Sequence, residues 1–221
     1  MGIPVMIMGE SGSGKSASLR NFEPDEIGIF SVASKPLPFR KKLPQANGAT
    51  YNSIMKSLGK ASRKAYAIDD SQYLMTFDSF KRAKERGYEK YTDFAIGFYN
   101  LIQFAIGRTP PDCIVYFLHH TYLDPATGKT RIKTVGKMLD EKLTLEGLFS
   151  IVLMTEITDD GYSFVTQSDG FSTCKSPMGM FPPRMENDLK LVDKTIREYY
   201  NMPPIVPDKD TPEVGQNENA G

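Results

Sequence analysis

Residues Gly9-Glu10-Ser11-Gly12-Ser13-Gly14-Lys15-Ser16 satisfy the pattern G-x-x-x-x-G-K-[ST] at every defined position. Gly9, Gly12 and Gly14 open backbone conformations closed to other residues, so successive N–H groups can turn inward around phosphate oxygens. A helix starting at Lys15 adds its first N–H donors, up to Ala17, and the positive end of its dipole. In this chemistry Lys15 reaches the β- and γ-phosphates, and the Ser16 hydroxyl binds Mg²⁺. A bound nucleoside triphosphate is the direct implication. A second pair, Asp69-Asp70, ends the apolar run Ala65-Tyr66-Ala67-Ile68. A carboxylate at such a strand end holds the metal opposite the loop serine, which suits Asp69, while Asp70 could polarise the attacking water. The plainer alternative is two solvated turn aspartates. The chain's two histidines, His119-His120, end the apolar run Cys113-Ile114-Val115-Tyr116-Phe117-Leu118. A polar group at the tip of that strand, beside the γ-phosphate, can sense the phosphate and move the loop that follows. Adjacent strand residues point to opposite faces, so one of the two should face the site. Lys15, Asp70, His119 and His120 are thus the candidate catalytic groups. A histidine metal site is disfavoured, because no nearby cysteine or third histidine completes a ligand set.

These residues need a scaffold of strands alternating with helices. Residues 3–8 read as a strand feeding the glycine loop, 15–22 as a helix, and 26–32 as a second strand. A basic, proline-punctuated loop follows, from Lys35 to Lys42, with four cations and Phe39. Residues 52–63 suggest a short helix, 65–70 a strand and 89–107 a long helix with Phe94, Phe98, Leu101, Ile102 and Ala105 at helical spacing. The run 113–118 fits a central strand covered on both faces. A helix is expected over 136–147 and a strand over 149–155. Asp159-Asp160-Gly161 then marks a hairpin turn into 162–166, and a last helix covers 186–201.

The expected organisation is one α/β domain over residues 1–202 and a disordered acidic tail over 203–221. The 27 basic residues balance the 27 acidic ones, so any polyanion site must be a local patch. Two cysteines, Cys113 and Cys174, make neither a disulfide framework nor a metal cluster and suit a reducing cytosol. No stretch approaches a membrane span. The first strand begins by residue 3, so no leader is expected before the nucleotide site.

GESGSGKS, AYAIDD, CIVYFLHH, TVGKMLDEKLTLEGLFSIVLMTEI and TCKSPMGMF together resemble the phage-encoded RecA-like ATPases, AAA-type nucleotide-binding proteins that include single-strand annealing proteins. The resemblance covers about residues 3–185. It implies a RecA-like P-loop core, a mainly parallel sheet flanked by helices with a C-terminal β-hairpin, and ATP with Mg²⁺ at the strand C-terminal ends. It also implies a homo-oligomer, ring or filament, in which Lys175 or Arg184 completes a neighbour's site. One departure stands out. RecA proteins end the second strand in a catalytic glutamate, whereas this strand ends Ser31-Val32-Ala33-Ser34-Lys35, so hydrolysis is expected to be slow. Residues 121–137 carry Lys129, Arg131, Lys133 and Lys137 against the single acid Asp124, with Tyr122 available for stacking. Basic loops with an aromatic suit single-stranded DNA, although such runs also occur as plain solvated loops. The favoured function is ATP-dependent annealing or strand pairing in phage recombination, in the cytoplasm of an infected cell. The alternative is a regulatory or loader ATPase that holds a phage replication protein. A small-molecule kinase is disfavoured, because no lid with paired arginines is evident.

Overall fold

In the computed structural model, residues 1–87, 89–135 and 144–205 are described. The apolar runs become the sheet centre: β1 (Ile3–Gly9), β4 (Ala65–Asp69), β5 (Ile114–Leu123) and β7 (Ile151–Thr158). With β2 (Ile27–Ser31), β3 (Gln45–Asn47), β8 (Gly161–Val165) and β9 (Arg184–Glu186), the strands run in the order β3-β2-β4-β5-β1-β7-β8-β9. Every pairing from β3 to β7 is parallel, and β8 and β9 add antiparallel. The short β6 (Thr130–Ile132) folds back antiparallel on the end of β5. The core is therefore a mixed, mainly parallel α/β sheet, and the β7–β8 hairpin follows the turn at Asp159-Asp160-Gly161.

The period-two alternation of strands sorts side chains into two cores. Met6, Met8 and Phe117 face α1 (Tyr51–Lys60), α2 (Tyr73–Lys81) and α3 (Glu89–Arg108) through Leu58, Met75 and Phe98. Val5, Ile7 and Tyr116 face the opposite way, toward Leu19, Phe22 and the helix α4 (Leu189–Tyr199). Burial on both faces explains why these strands are continuously apolar. Thr50 and Ser53 close a capping box at the start of α1, and the Asp188 carboxylate accepts the Lys190 and Leu191 N–H groups at the start of α4. Among the described residues no helix is long and apolar enough to cross a membrane.

Several elements differ from expectation. The helix after the glycine loop is a 3₁₀ turn, Ser16–Asn21, because the Ser18 hydroxyl donates back to the Lys15 carbonyl at 2.6 Å and tightens it. The strand expected to stop at Leu118 continues through both histidines to Leu123. Of the helix expected over 136–147, residues 136–143 lie outside the described residues, and Leu145–Leu148 form a 3₁₀ turn. At the C-terminus, Pro203 accepts a hydrogen bond from Arg197 and Ile205 packs on the core. The expected tail from 206 onward lies outside the described residues.

One buried ion pair fastens α4 to the sheet. Arg197 and Asp193 are 2% and 1% exposed, and the Arg197 Nε donates to the Asp193 carboxylate. Tyr116 donates its hydroxyl to Asp193 Oδ2 at 2.8 Å, while Arg197 also donates to the carbonyls of Lys64, Asp112 and Pro203. Lys64 and Asp112 immediately precede β4 and the β5 run, so one guanidinium ties three chain segments. Replacing it leaves a buried carboxylate and three carbonyls without their donor. Arg197→Met is expected to lose roughly 3–5 kcal/mol of stability in urea denaturation, and a loss below about 1 kcal/mol contradicts the anchoring role.

Candidate functional site

The C-terminal ends of β1 and β4 meet beside the middle of β5. The register pairs Gly9 with His120 and Met8 with His119, so the start of the glycine loop lies beside the histidines. On the other side of β5, Ile68 pairs with Phe117, which brings Asp69 and Asp70 to the same place. The loop is fixed by its own residues. Gly12 and Gly14 take left-handed φ values of 80° and 97°, and Gly9 has no room for a side chain because a Cβ there would lie 1.8 Å from Thr155 Oγ1. The Ser13 hydroxyl donates to the Glu10 carbonyl at 2.7 Å and lies 2.5 Å from the Thr155 hydroxyl, which ties the loop to β7.

Lys15 is buried, and its Nζ donates to the carbonyls of Gly9 at 2.9 Å and Glu10 at 2.7 Å. Burial lowers its pKa to about 8, against the pull of Asp70 and Asp69. The Ser16 hydroxyl donates to Asp69 Oδ1 at 2.7 Å. Burial pushes the Asp69 carboxyl up, and the Ser16 hydrogen bond opposes it. Asp70 sits in the left-handed region at φ 59°, and its two oxygens have different partners. Lys35 Nζ lies 2.7 Å from Oδ2, and His120 Nε2 lies 3.1 Å from Oδ1. Burial would raise this carboxyl, but the His120 and Lys35 hydrogen bonds outweigh it and hold the pKa at about 2.

The histidines divide as strand geometry requires. His120 lines the cavity with Asp70, whereas His119 is fully buried on the other face, edge-on to Phe98 at a centroid distance of 5.4 Å. Burial lowers the His119 pKa to about 4, so the ring is neutral near pH 7. Its Nε2 donates to the Lys133 carbonyl at 2.7 Å, and its Nδ1 faces the Ser71 hydroxyl at 2.9 Å. As a candidate catalytic residue His119 is therefore corrected: it holds the segment after β6 and does not touch the cavity.

The cavity between these groups has a volume of about 250 Å³ and is also lined by Ser11, Ala17, Pro36 and Pro38. Four lining residues, Lys35, Pro36, Pro38 and Tyr162, are not legible as site members in the sequence. Lys35 comes from the loop after β2, where the sequence shows it as one cation of a basic stretch. Tyr162, at the start of β8, lies against Gly14 so closely that a Cβ there would sit 2.7 Å from the ring. The hairpin turn was legible in the sequence, but the register that brings Tyr162 to the loop was not.

The remaining candidates lie elsewhere. The segment expected as a basic loop is a β-hairpin in which Tyr122 pairs with Arg131 across the strands. Lys129 and Lys133 are exposed, Arg131 lies 3.8 Å from the Asp124 carboxylate, and Lys137 falls outside the described residues. Lys175 makes a two-way backbone bridge with Val152, and Arg184 is exposed and paired with Glu156 at 2.8 Å. Neither lines the cavity.

No family model matches the chain, and no curated protein matches it. Among solved structures it is similar to the Legionella pneumophila ATPase DotB, with a TM-score of 0.35 and 9% identity, over 90% of this chain and 53% of that one. The chain thus spans about half the length of that ATPase. The functional reading rests on the geometry of the site itself.

The Asp70 pairing has a pH signature. A carboxyl whose pKa falls from 3.8 to about 2 on folding stabilises the fold above pH 4 and loses that contribution as pH drops toward 2. The stability advantage of the wild type over Asp70→Asn, from urea midpoints between pH 6 and pH 2, is expected to shrink across that window. A constant difference contradicts it.

Proposed function

We propose that this chain binds ATP with Mg²⁺, hydrolyses it slowly, and uses the bound nucleotide to control its grip on single-stranded DNA. The observation that carries the nucleotide reading is the meeting of Lys15, Ser16 and Asp69 at the mouth of a glycine loop with two left-handed glycines. Ser16 and Asp69 offer hard oxygen donors of the kind Mg²⁺ takes, with water and substrate phosphate completing its shell. Among the described residues no group of three or more His, Cys, Asp and Glu gathers to hold a metal, which suits an ion that needs one or two protein ligands. Bound there, Mg²⁺ would neutralise charge on the β- and γ-phosphates.

The protein's own groups do the rest. The loop N–H groups would bind and orient the phosphates, and Lys15 would exchange two neutral carbonyls for anionic oxygens, which favours its charged form. Asp70 is the nearest candidate to accept the proton of an attacking water. Held at about 2 by His120 and Lys35, it is a weak base, which supports slow turnover.

The DNA reading draws on the β5–β6 hairpin. Exposed Lys129 and Lys133 accompany Tyr122 and Arg131 there, and the Lys133 carbonyl is bonded to His119, the neighbour of cavity-lining His120. This supports a path by which phosphate at the cavity orders a DNA-binding ribbon. The wider reading is an oligomeric phage recombination protein that anneals or pairs single strands.

ATP, or a slowly hydrolysed analogue, is expected to tighten binding to a single-stranded oligonucleotide, with steep salt dependence. Lys15→Ala should remove the nucleotide effect. Equal DNA binding with and without nucleotide contradicts the reading. DNA affinity unchanged after joint removal of Lys129, Arg131 and Lys133 would instead favour a loader that captures a protein partner.

A further inference from the structure

The chain leaving β2 brings a lysine to the cavity. β2 runs parallel to β4, with Ser31 paired to Asp69 and the Val32 N–H donating to the Asp69 carbonyl at 3.2 Å. The chain leaving β2 therefore travels beside Asp69 and Asp70. Ser34 then takes a left-handed φ of 57° and turns Lys35 over the cavity mouth. The Lys35 ammonium lies 2.7 Å from Asp70 Oδ2 and 5.3 Å above the centre of the Tyr73 ring. It lines the same cavity as Lys15, Ser16 and Asp69.

We propose that Lys35 is a nucleotide-binding residue, a cation supplied from the chain's own β2 end that leaves Asp70 for the terminal phosphate of a bound nucleoside triphosphate. This rests on the ATP reading above and adds the group that distinguishes triphosphate from diphosphate. The Lys35 side chain is 56% exposed, so its ammonium can leave Asp70 through water while His120 stays on the other carboxylate oxygen. A terminal phosphate carries more charge than a carboxylate and offers three acceptor oxygens, so it competes well for an ammonium on a flexible four-carbon stem. A nucleoside diphosphate ends short of that position and leaves Lys35 on Asp70. Two consequences follow from the exchange. Asp70 Oδ2 loses its lysine partner when the triphosphate is bound, while His120 stays on Oδ1. The Tyr73 ring also loses the cation above it, and Tyr73 and His120 both line an adjoining groove with Lys133. Lys35 would thus report the γ-phosphate to the side of the molecule that holds the hairpin root.

The test is calorimetric titration of Mg²⁺-ATP and Mg²⁺-ADP into the wild type, Lys35→Ala and Lys35→Gln. Both variants are expected to bind ATP about tenfold more weakly, with ADP affinity changed less than twofold. Lys35→Gln keeps a polar donor for Asp70, so an ATP-selective loss shared by both variants cannot come from disturbed folding. Parallel weakening of ATP and ADP, or no change in either, overturns the role of Lys35 while leaving the site itself intact. A wild-type protein that binds neither nucleotide overturns the ATP reading, and the proposal with it.

Discussion

A lysine and two aspartates, each at most 7% exposed, stand together at the edge of an apolar sheet. Removing such charges from water is costly unless partners compensate them, and the surroundings of the site supply those partners. Lys15 is held by two loop carbonyls, Asp69 by the Ser16 hydroxyl, and Asp70 by Lys35 and His120. Each arrangement draws on a different element: the glycine loop after β1, the ends of β2 and β4, and β5. The parallel order β2-β4-β5-β1 is what brings those elements to a common edge. The proposed phosphate and Mg²⁺ would fit this set of charges, because one would take the cations and the other the carboxylate and hydroxyl.

The adjacent histidines show how one strand serves two faces. His120 points to the cavity and pairs with Asp70, while His119 turns into the core, neutral, and bonds the chain after β6. A single strand thus touches the glycine-loop cavity on one side and the root of the basic hairpin on the other. Under the proposed function, that strand would couple the two without a long chain of intermediates.

The sequence made the strands near the site legible, because burial on both faces leaves long apolar runs such as 113–118, and the glycine loop carries its chemistry in its spacing. Asp69 was legible for the same reason, as the first charge after such a run. Other features depend on contacts distant in sequence. Lys35 reads as one cation among four, and only the β2–β4 register turns it toward Asp70. Tyr162 reads as a hairpin residue, and only the fold brings it 148 positions back to Gly14. The helix α2 mixes exposed Phe77 and Phe80 with buried Leu74 and Met75, which blurs its apolar stripe. The 3₁₀ turn after the loop follows from a serine side chain bonding its own backbone, an effect that periodicity does not record.

Lys15, Ser16 and Asp69 are proposed to form one Mg²⁺-triphosphate site. It is tested most directly by titrating ATP into the wild-type protein with Mg²⁺ and again with excess chelator. One saturable site per chain is expected, with affinity at least about tenfold weaker once Mg²⁺ is removed. Binding that ignores Mg²⁺, or no saturable binding at all, would contradict it.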